Sequence, residues 1–397
     1  MSEIRVTNVL GENGNSPVNF TKGINMSGIC TAPAFIPSQG QLSHRNIIIN
    51  GAMRVAQRAS SSTTNGYGSV DRFQSSFSAT DENPTQTQHT LTSSDTGPYA
   101  EGFRKSFHVQ NGNQTSGAGT SDFIRLWHKI EAQDLANSGW NYTSSSSYIT
   151  LSFWVKASVT QTYYVQMRTS DGTSKSYYFA MNLSANTWTK VTHSIPGHAD
   201  ISFDNDNGEG IYIAWYTFRG TNNTGSGQNA NQWNNWDGSY ITPDQTTTWY
   251  TTNDATFELT GVQLEVGDTA TSFEHRSYGE ELARCQRYCV VYGGSGTRHL
   301  GCASAYNSTN INLSLHLPSP MRAAPSSSTV TSGGNWLQSY MGASGNISNA
   351  SISVTDISDD HHTARVYLQN AHSGLTAGQA LWIHTIANAK LILSAEL

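Results

Sequence analysis

The strongest constraint on this chain is a period of two. Leu151, Phe153 and Val155 alternate with Ser152, Trp154 and Lys156, and Tyr163, Val165 and Met167 alternate with Tyr164, Gln166 and Arg168. Successive side chains of a strand point to opposite faces, so such runs bury one face of a sheet and cannot settle as a helix. Ser170-Asp171-Gly172-Thr173 then reads as a hairpin turn, and the returning run sets Tyr177, Phe179, Met181 and Leu183 on one face, which predicts two neighbouring antiparallel strands. Ile211 to Phe218 is apolar or aromatic on both parities, the pattern of a strand covered on each side, as in a sandwich. In TFELTGVQLEV the buried parity passes from Phe257 and Leu259 to Val262, Leu264 and Val266, with Gly261 at the switch, which predicts a β-bulge at that glycine.

Composition supports an all-β chain with neutral polar surfaces. Hydrophobic residues make up 36% and charged residues only 13%, so Ser, Thr, Asn and Gln supply the remaining polarity. At 397 residues, two globular domains plus an extra segment are expected. Residues 1–45 read as an extended arm of short pieces broken by Gly, Asn, Pro and Ser, too small to hold a core. Residues 46–275 form the main β domain. Ser277 and Glu280 make a capping-box signature that opens a linker helix over 276–290, with Leu282, Cys285 and Cys289 on one face. Residues 291–397 form a smaller β domain, with strands over 310–317 and near 351–355, 365–369, 381–384 and 390–397.

Charge, hydropathy and cysteine spacing exclude several classes of partner and setting. A net charge of −6 lacks the basic footprint that phosphate backbones require, so nucleic acid is not an expected partner. No apolar signal-peptide core and no run of about 18 apolar residues occurs, so neither a cleaved signal nor membrane insertion is expected. Cys30, Cys285, Cys289 and Cys302 are too few and too irregular for a disulfide framework and read as reduced thiols.

Four segments carry a family likeness. NIIINGAMRVAQR (Asn46 to Arg58), with DRF at Asp71 to Phe73, resembles the opening of a β-sandwich domain common in bacteriophage tail-fibre and receptor-binding proteins. TGVQLEVGDTATSFEHRSYGEELARCQRYC (Thr260 to Cys289) resembles the close of that domain and its connecting helix. LPSPMRAAPS (Leu317 to Ser326) and LILSAEL (Leu391 to Leu397) resemble the C-terminal module that follows it. The resemblance, which covers residues 46–397, implies a jelly-roll β-sandwich like a carbohydrate-binding module, a homotrimer on the virion tail, and adsorption to a host surface glycan. Residues 1–45, unable to bury themselves, are expected to attach to other tail proteins, and the absence of a long β-helix repeat and of a convincing acid pair sets enzymatic activity aside. A capsid decoration, a tail adaptor or a glycan-degrading tailspike are the competing readings.

Candidate sites follow from residue chemistry. The loop from Gly225 to Tyr250 interleaves Trp233, Trp236, Tyr240, Trp249 and Tyr250 with Asn, Gln, Asp and Thr, a mixture suited to the apolar C–H faces and hydroxyl rims of sugars. The C-terminal tip around Trp336, Tyr340 and His361 is a second candidate surface. Asp204, Asp206 and Glu209 could hold a structural calcium ion, although Trp215 stands where an EF-hand needs its last glutamate, so no EF-hand is expected and a plain turn competes. Asp359 to His362 and the Cys285, Cys289, Cys302 set are weaker metal candidates, and no resident metal or cofactor is expected. Glu131, Asp134, Glu258, Glu265 and Glu274 are the acids to weigh as glycosidase carboxylates, and their positions read as structural.

Overall fold

A computed structural model describes residues 43–397 apart from 331–334, 341–343, 349–350, 358–362 and 372. The expected attachment arm therefore lies outside the described residues, except for its last three. The all-β expectation holds. Twelve strands form the first part: β1 (Ser61–Ser62), β2 (Phe73–Ser78), β3 (Thr85–Thr90), β4 (Lys105–Gln110), β5 (Phe123–Glu131), β6 (Tyr148–Ala157), β7 (Gln161–Thr169), β8 (Lys175–Leu183), β9 (Thr189–Pro196), β10 (Glu209–Arg219), β11 (Trp233–Asn235) and β12 (Thr256–Val266). They pair antiparallel into two six-stranded sheets, ordered β1-β3-β4-β12-β6-β9 and β11-β8-β7-β10-β5-β2.

The period of two sets which face meets the other sheet. Leu151, Phe153 and Val155 of the first sheet and Tyr163, Val165, Met167, Ile211, Ile213 and Trp215 of the second are all buried in one hydrophobic cluster. The turn between β7 and β8 carries Gly172 at φ +57, the left-handed geometry a tight hairpin needs. At Gly261, φ is +63 and the β12–β6 register slips between Thr260 and Gln263, which is the bulge the parity switch requires.

Ser277 Oγ accepts a hydrogen bond from Glu280 N at 3.2 Å and starts the helix Tyr278–Gln286, after which the chain turns into a second β region. Cys289 begins a strand there rather than completing the helical stripe: Cys285 lies on the helix and Cys289 beyond it. Ten strands, from Cys289–Gly293 to Lys390–Ser394, form a three-stranded and a seven-stranded sheet among the described residues. Ile311, Leu313 and Leu315 alternate with Asn312, Ser314 and His316, and only the first set enters the second core with Val366, Leu368, Ile383, Leu391 and Leu393.

Buried charges tie the two β regions together. The Glu131 carboxylate, on the last residue of β5, accepts from Arg287 Nε and Nη2 at 2.7 Å each, from Gln133 Nε2 at 2.6 Å and from the Tyr288 hydroxyl. Arg72 pairs with Glu396 and stacks on the Tyr288 ring, 3.5 Å from its centroid. Arg58 reaches Glu396 at 3.1 Å. Burial pushes the Glu131 pKa up, but the Arg287 guanidinium and Tyr288 hydroxyl outweigh it and hold the carboxyl below its ordinary range.

Candidate functional site: a ring and guanidinium ladder on the second sheet

The parity of β5, β7 and β10 that does not enter the core forms the outer face of the second sheet. Register places Trp127 beside Gln74 and Ala214, Arg125 beside Tyr216, and Lys129 beside Tyr212; on the other flank Tyr216 meets Tyr164, Ala214 meets Gln166, and Tyr212 meets Arg168. This face is unusually rich in rings and guanidinium groups.

Their contacts form a continuous series. Arg168 lies 3.9 Å from the centroid of Trp236 and 5.8 Å from that of Tyr212. Tyr212 meets Trp127 edge to face at 5.3 Å. Arg125 lies over Trp127 at 3.8 Å and near Phe123 at 5.3 Å, and Arg219 lies over Phe123 at 4.7 Å. A polar layer fixes the rings: Gln166 Oε1 accepts from the hydroxyls of Tyr212 and Tyr216 at 3.2 and 3.0 Å, and Arg125 Nη1 donates to Tyr216 Oη at 3.2 Å.

The aromatic loop crosses this face, and the structure divides its five rings by role. Trp249 and Tyr250 are 0% and 1% exposed, so they belong to the sandwich core and cannot meet a ligand. Trp249 Nε1 donates to Thr256 O at 2.9 Å, and Tyr250 Oη donates to Asp122 Oδ2 at 3.0 Å. Trp233 is also buried, on the core side of β11 against Tyr177, with its Nε1 donating to Pro196 O. Three of the five predicted contact residues are thus anchors, because a long loop must bury apolar area somewhere to hold its shape.

Trp236 and Tyr240 are the exposed pair, at 36% and 40%. Trp236 is held by the Arg168 stack and by its own N–H bonding to Ser174 O at 3.0 Å. Tyr240 lies so close to Gly227 that a Cβ there would fall 2.5 Å from its ring. Ile241, next to it, packs on Tyr212, Ala214 and Tyr216 and covers that part of the sheet. Phe123, Arg125, Trp127 and Lys129 on β5 stay half-buried as the accessible stripe beside this cover.

The metal candidates are resolved by their partners. Glu209 accepts from Ser170 Oγ at 2.6 Å and pairs with Lys129 at 2.8 Å, while Asp206 Oδ1 accepts from Gly208 N at 2.8 Å in its own turn. Among the described residues, the one set of three or more ligating groups within 4.8 Å of one another is His89, His108 and Glu258, so Asp204, Asp206 and Glu209 do not converge on a calcium ion, and neither do the three described cysteines on a zinc ion. Glu258 already takes Lys156 Nζ at 2.8 Å and Ser106 Oγ at 2.8 Å, so a metal ion would have to compete with an ammonium group. Cys285 and Cys289 are buried, which pushes both thiols up, while Cys302 is exposed. His361 and the Asp359 to His362 set lie outside the described residues, as do the side chains of Trp336 and Tyr340.

The carboxylates give no glycosidase pair. Asp134 lines a cavity of about 330 Å³ with His44, Arg45, Asn137 and Arg284, and burial, with Glu131 near it, raises its pKa. Glu131 does not line that cavity; it is turned into the Arg287 pair. Glu265 accepts from Thr271 N at 2.8 Å and Thr271 Oγ1 at 2.7 Å, and Glu274 accepts from Asn46 N and Arg276 Nη2 at 3.0 Å each. Two carboxyls facing one cleft, which glycoside hydrolysis needs, are not formed by these five residues.

No protein-family model matches the chain, and no curated protein matches it. Solved structures similar to it include an N-terminal cellulose-binding domain from Cellulomonas fimi β-1,4-glucanase C, at 9% identity and TM-score 0.28, covering 55% of this chain and 99% of that one. A putative sugar binding protein from Bacteroides thetaiotaomicron aligns at 10% identity and TM-score 0.29, covering 56% of this chain and 100% of that one. The CBM22-1 xylan-binding domain of Paenibacillus barcinonensis Xyn10C aligns at 10% identity and TM-score 0.24, covering 49% of this chain and 87% of that one. The sandwich of the present chain rests on its own strand order.

Proposed function

We propose that the outer face of the second sheet is a saccharide-recognition surface, and that the chain is a non-enzymatic adhesive subunit of a bacteriophage tail fibre, working as a trimer attached through residues 1–45. The observation that carries the saccharide reading is the series Trp236, Arg168, Tyr212, Trp127, Arg125, in which two partly accessible indoles are held in fixed planes by guanidinium stacking. A pyranose ring offers an apolar C–H face to such a plane, and its hydroxyls need donors and acceptors at the rim. Gln228 Oε1 and Trp127 Nε1 are buried without a protein hydrogen-bond partner, polar capacity that the protein itself leaves unused.

The virion placement is supported by the likeness of residues 46–397 to tail-fibre proteins, and the trimer by the multivalency it would give weak sites: several tethered copies raise effective concentration without new contacts. Binding of the full-length protein to a glycan array, with Trp127→Ala and Trp236→Ala alongside, tests the saccharide reading. Expected are discrete glycan hits that both variants weaken roughly tenfold or more. An array without hits, or hits untouched by both variants, would refute it and favour a face that packs against another virion protein. Immunogold labelling of intact particles tests the placement, with label on the head rather than the tail as the contrary result.

A further inference from the structure

On the reading that this face binds saccharides, we infer that the saccharide is anionic: a polysaccharide carrying carboxylate or sulfate groups, held by Arg125, Arg168 and Arg219. Among the described residues, none of these three guanidinium groups forms an ion pair with a carboxylate. Arg54, Arg104 and Arg322 also have no carboxylate, but they donate to backbone carbonyls, whereas Arg125 and Arg219 share the Phe123 ring and Arg168 lies farther along the same face on Trp236 and Tyr212. Lys129, on the same strand, has its carboxylate in Glu209, and Arg58, Arg72, Arg276 and Arg287 have theirs elsewhere.

The three are also costly where they stand. The Nε atoms of Arg125, Arg168 and Arg219 are all buried without a hydrogen-bond partner. Burial pushes the Arg219 pKa down, and the positive charge of Arg125 pushes it further in the same direction. Like charges set side by side on a half-buried face repel, and an anion between them would relieve that repulsion. Ring stacking already fixes the planes of the forks, so little freedom is lost when an oxyanion arrives. Arg125 and Arg219 share Phe123 as their platform, which sets two forks around one ring. A repeating acidic polymer laid along β5 would meet Arg219, Arg125 and the Trp127 ring in turn.

The test measures binding of the full-length protein to polygalacturonate, dextran sulfate and uncharged dextran by biolayer interferometry, with polyglutamate as a non-saccharide polyanion of comparable charge. Arg125→Gln and Arg219→Gln are compared with wild type after circular dichroism and melting confirm that each is folded, and the wild-type salt dependence provides a readout that needs no variant. Expected is binding to one of the two acidic polysaccharides that weakens as salt rises, exceeds binding to polyglutamate, and falls roughly tenfold or more in either variant. A preference for polygalacturonate or for dextran sulfate assigns the oxyanion as carboxylate or sulfate. Salt-independent binding to dextran, acidic-polysaccharide binding untouched by both variants, or array hits confined to neutral glycans would overturn the anionic inference while leaving saccharide recognition standing. Equal binding to polyglutamate would overturn it in favour of general charge attraction, and no saccharide binding on the array or here would overturn both readings.

Discussion

Replacing Glu131 by Gln isolates the junction between the two β regions. The side chain is 0% exposed and accepts four hydrogen bonds, three of them from Arg287 and Tyr288, just before the first strand of the second region. Glutamine keeps the shape but turns one acceptor into a donor, so whichever way the amide faces, an N–H is set against one of the Arg287 nitrogens. Removing one partner of a fully buried charge pair costs about 3–5 kcal/mol, but Arg287, the charge left behind, is 32% exposed and partly solvated, so a cost of about 2–3 kcal/mol is expected. For a domain of this size each kcal/mol lowers the melting temperature by about 2–4 °C, so a drop of about 4–12 °C is expected by differential scanning calorimetry. Because the Glu131 pKa is depressed, its contribution is present above the ordinary glutamate range and fades as the pH falls toward the folded-state value; the difference between wild type and variant should therefore shrink in acid. Limited proteolysis should find the segment around residues 277–288 cut sooner in the variant. A melting shift below about 2 °C, the effect of about 1 kcal/mol or less, would refute the view that this cluster holds the two regions together.

Trp249→Ala should destabilise the fold by about 3–5 kcal/mol in urea unfolding, as expected for a buried aromatic, whereas Trp236→Ala should change stability by under about 1 kcal/mol and act on ligand binding instead. Glu258→Gln should cost stability at neutral pH. Burial alone would raise this carboxyl, but His108, Lys156 and Ser106 hold it well below its usual range, so the loss should fade as the pH falls below the ordinary glutamate range, a trend followed by melting temperature against pH. Gly261→Ala should lower stability by about 1–3 kcal/mol, because the position has φ +63 and an added Cβ would sit 2.7 Å from the Phe103 ring, a change read by urea unfolding. Deleting residues 289–397 should unfold the remaining sandwich rather than merely abolish adhesion, since it removes Glu396, the carboxylate partner of Arg58 and Arg72, and Leu397 from the cluster around Cys285 and Tyr288; a soluble, cooperatively melting fragment would contradict this.

The sequence announces the inward half of this protein far better than the outward half. Alternation marks Phe153, Val165 and Phe179 as core because one apolar parity is enough to define a buried face, and local residues likewise reveal the Gly261 bulge and the Ser277 cap. The second region is partly legible for the same reason: Ile311 to Leu317 shows the pattern, whereas Arg298–Ala305, with its glycine and run of small side chains, forms a strand only because its neighbours pair with it. The loop rings cannot be sorted by type, since a tryptophan that anchors and one that is exposed read alike; burial of Trp249 beside exposure of Trp236 depends on where the chain crosses the sheet. The ladder escapes sequence reading for a different reason. Its members come from β5, β7, β10 and the loop, separated by up to about a hundred residues, and only strand register brings Arg125 to Tyr216 and Tyr212 to Arg168. A signal is nonetheless present in the outward parity, where Phe123, Arg125, Trp127 and Lys129 alternate ring with cation along one strand. An outward face that needed only to be wetted would be served by small hydroxyls and paired charges, as on β9, where Thr192 and Ser194 share their parity with Lys190, whose carboxylate is Glu101. Rings and unpaired guanidinium groups cost desolvation and repulsion on β5, β7 and β10, and a cost retained on one face of one sheet is the physical reason for proposing recognition there.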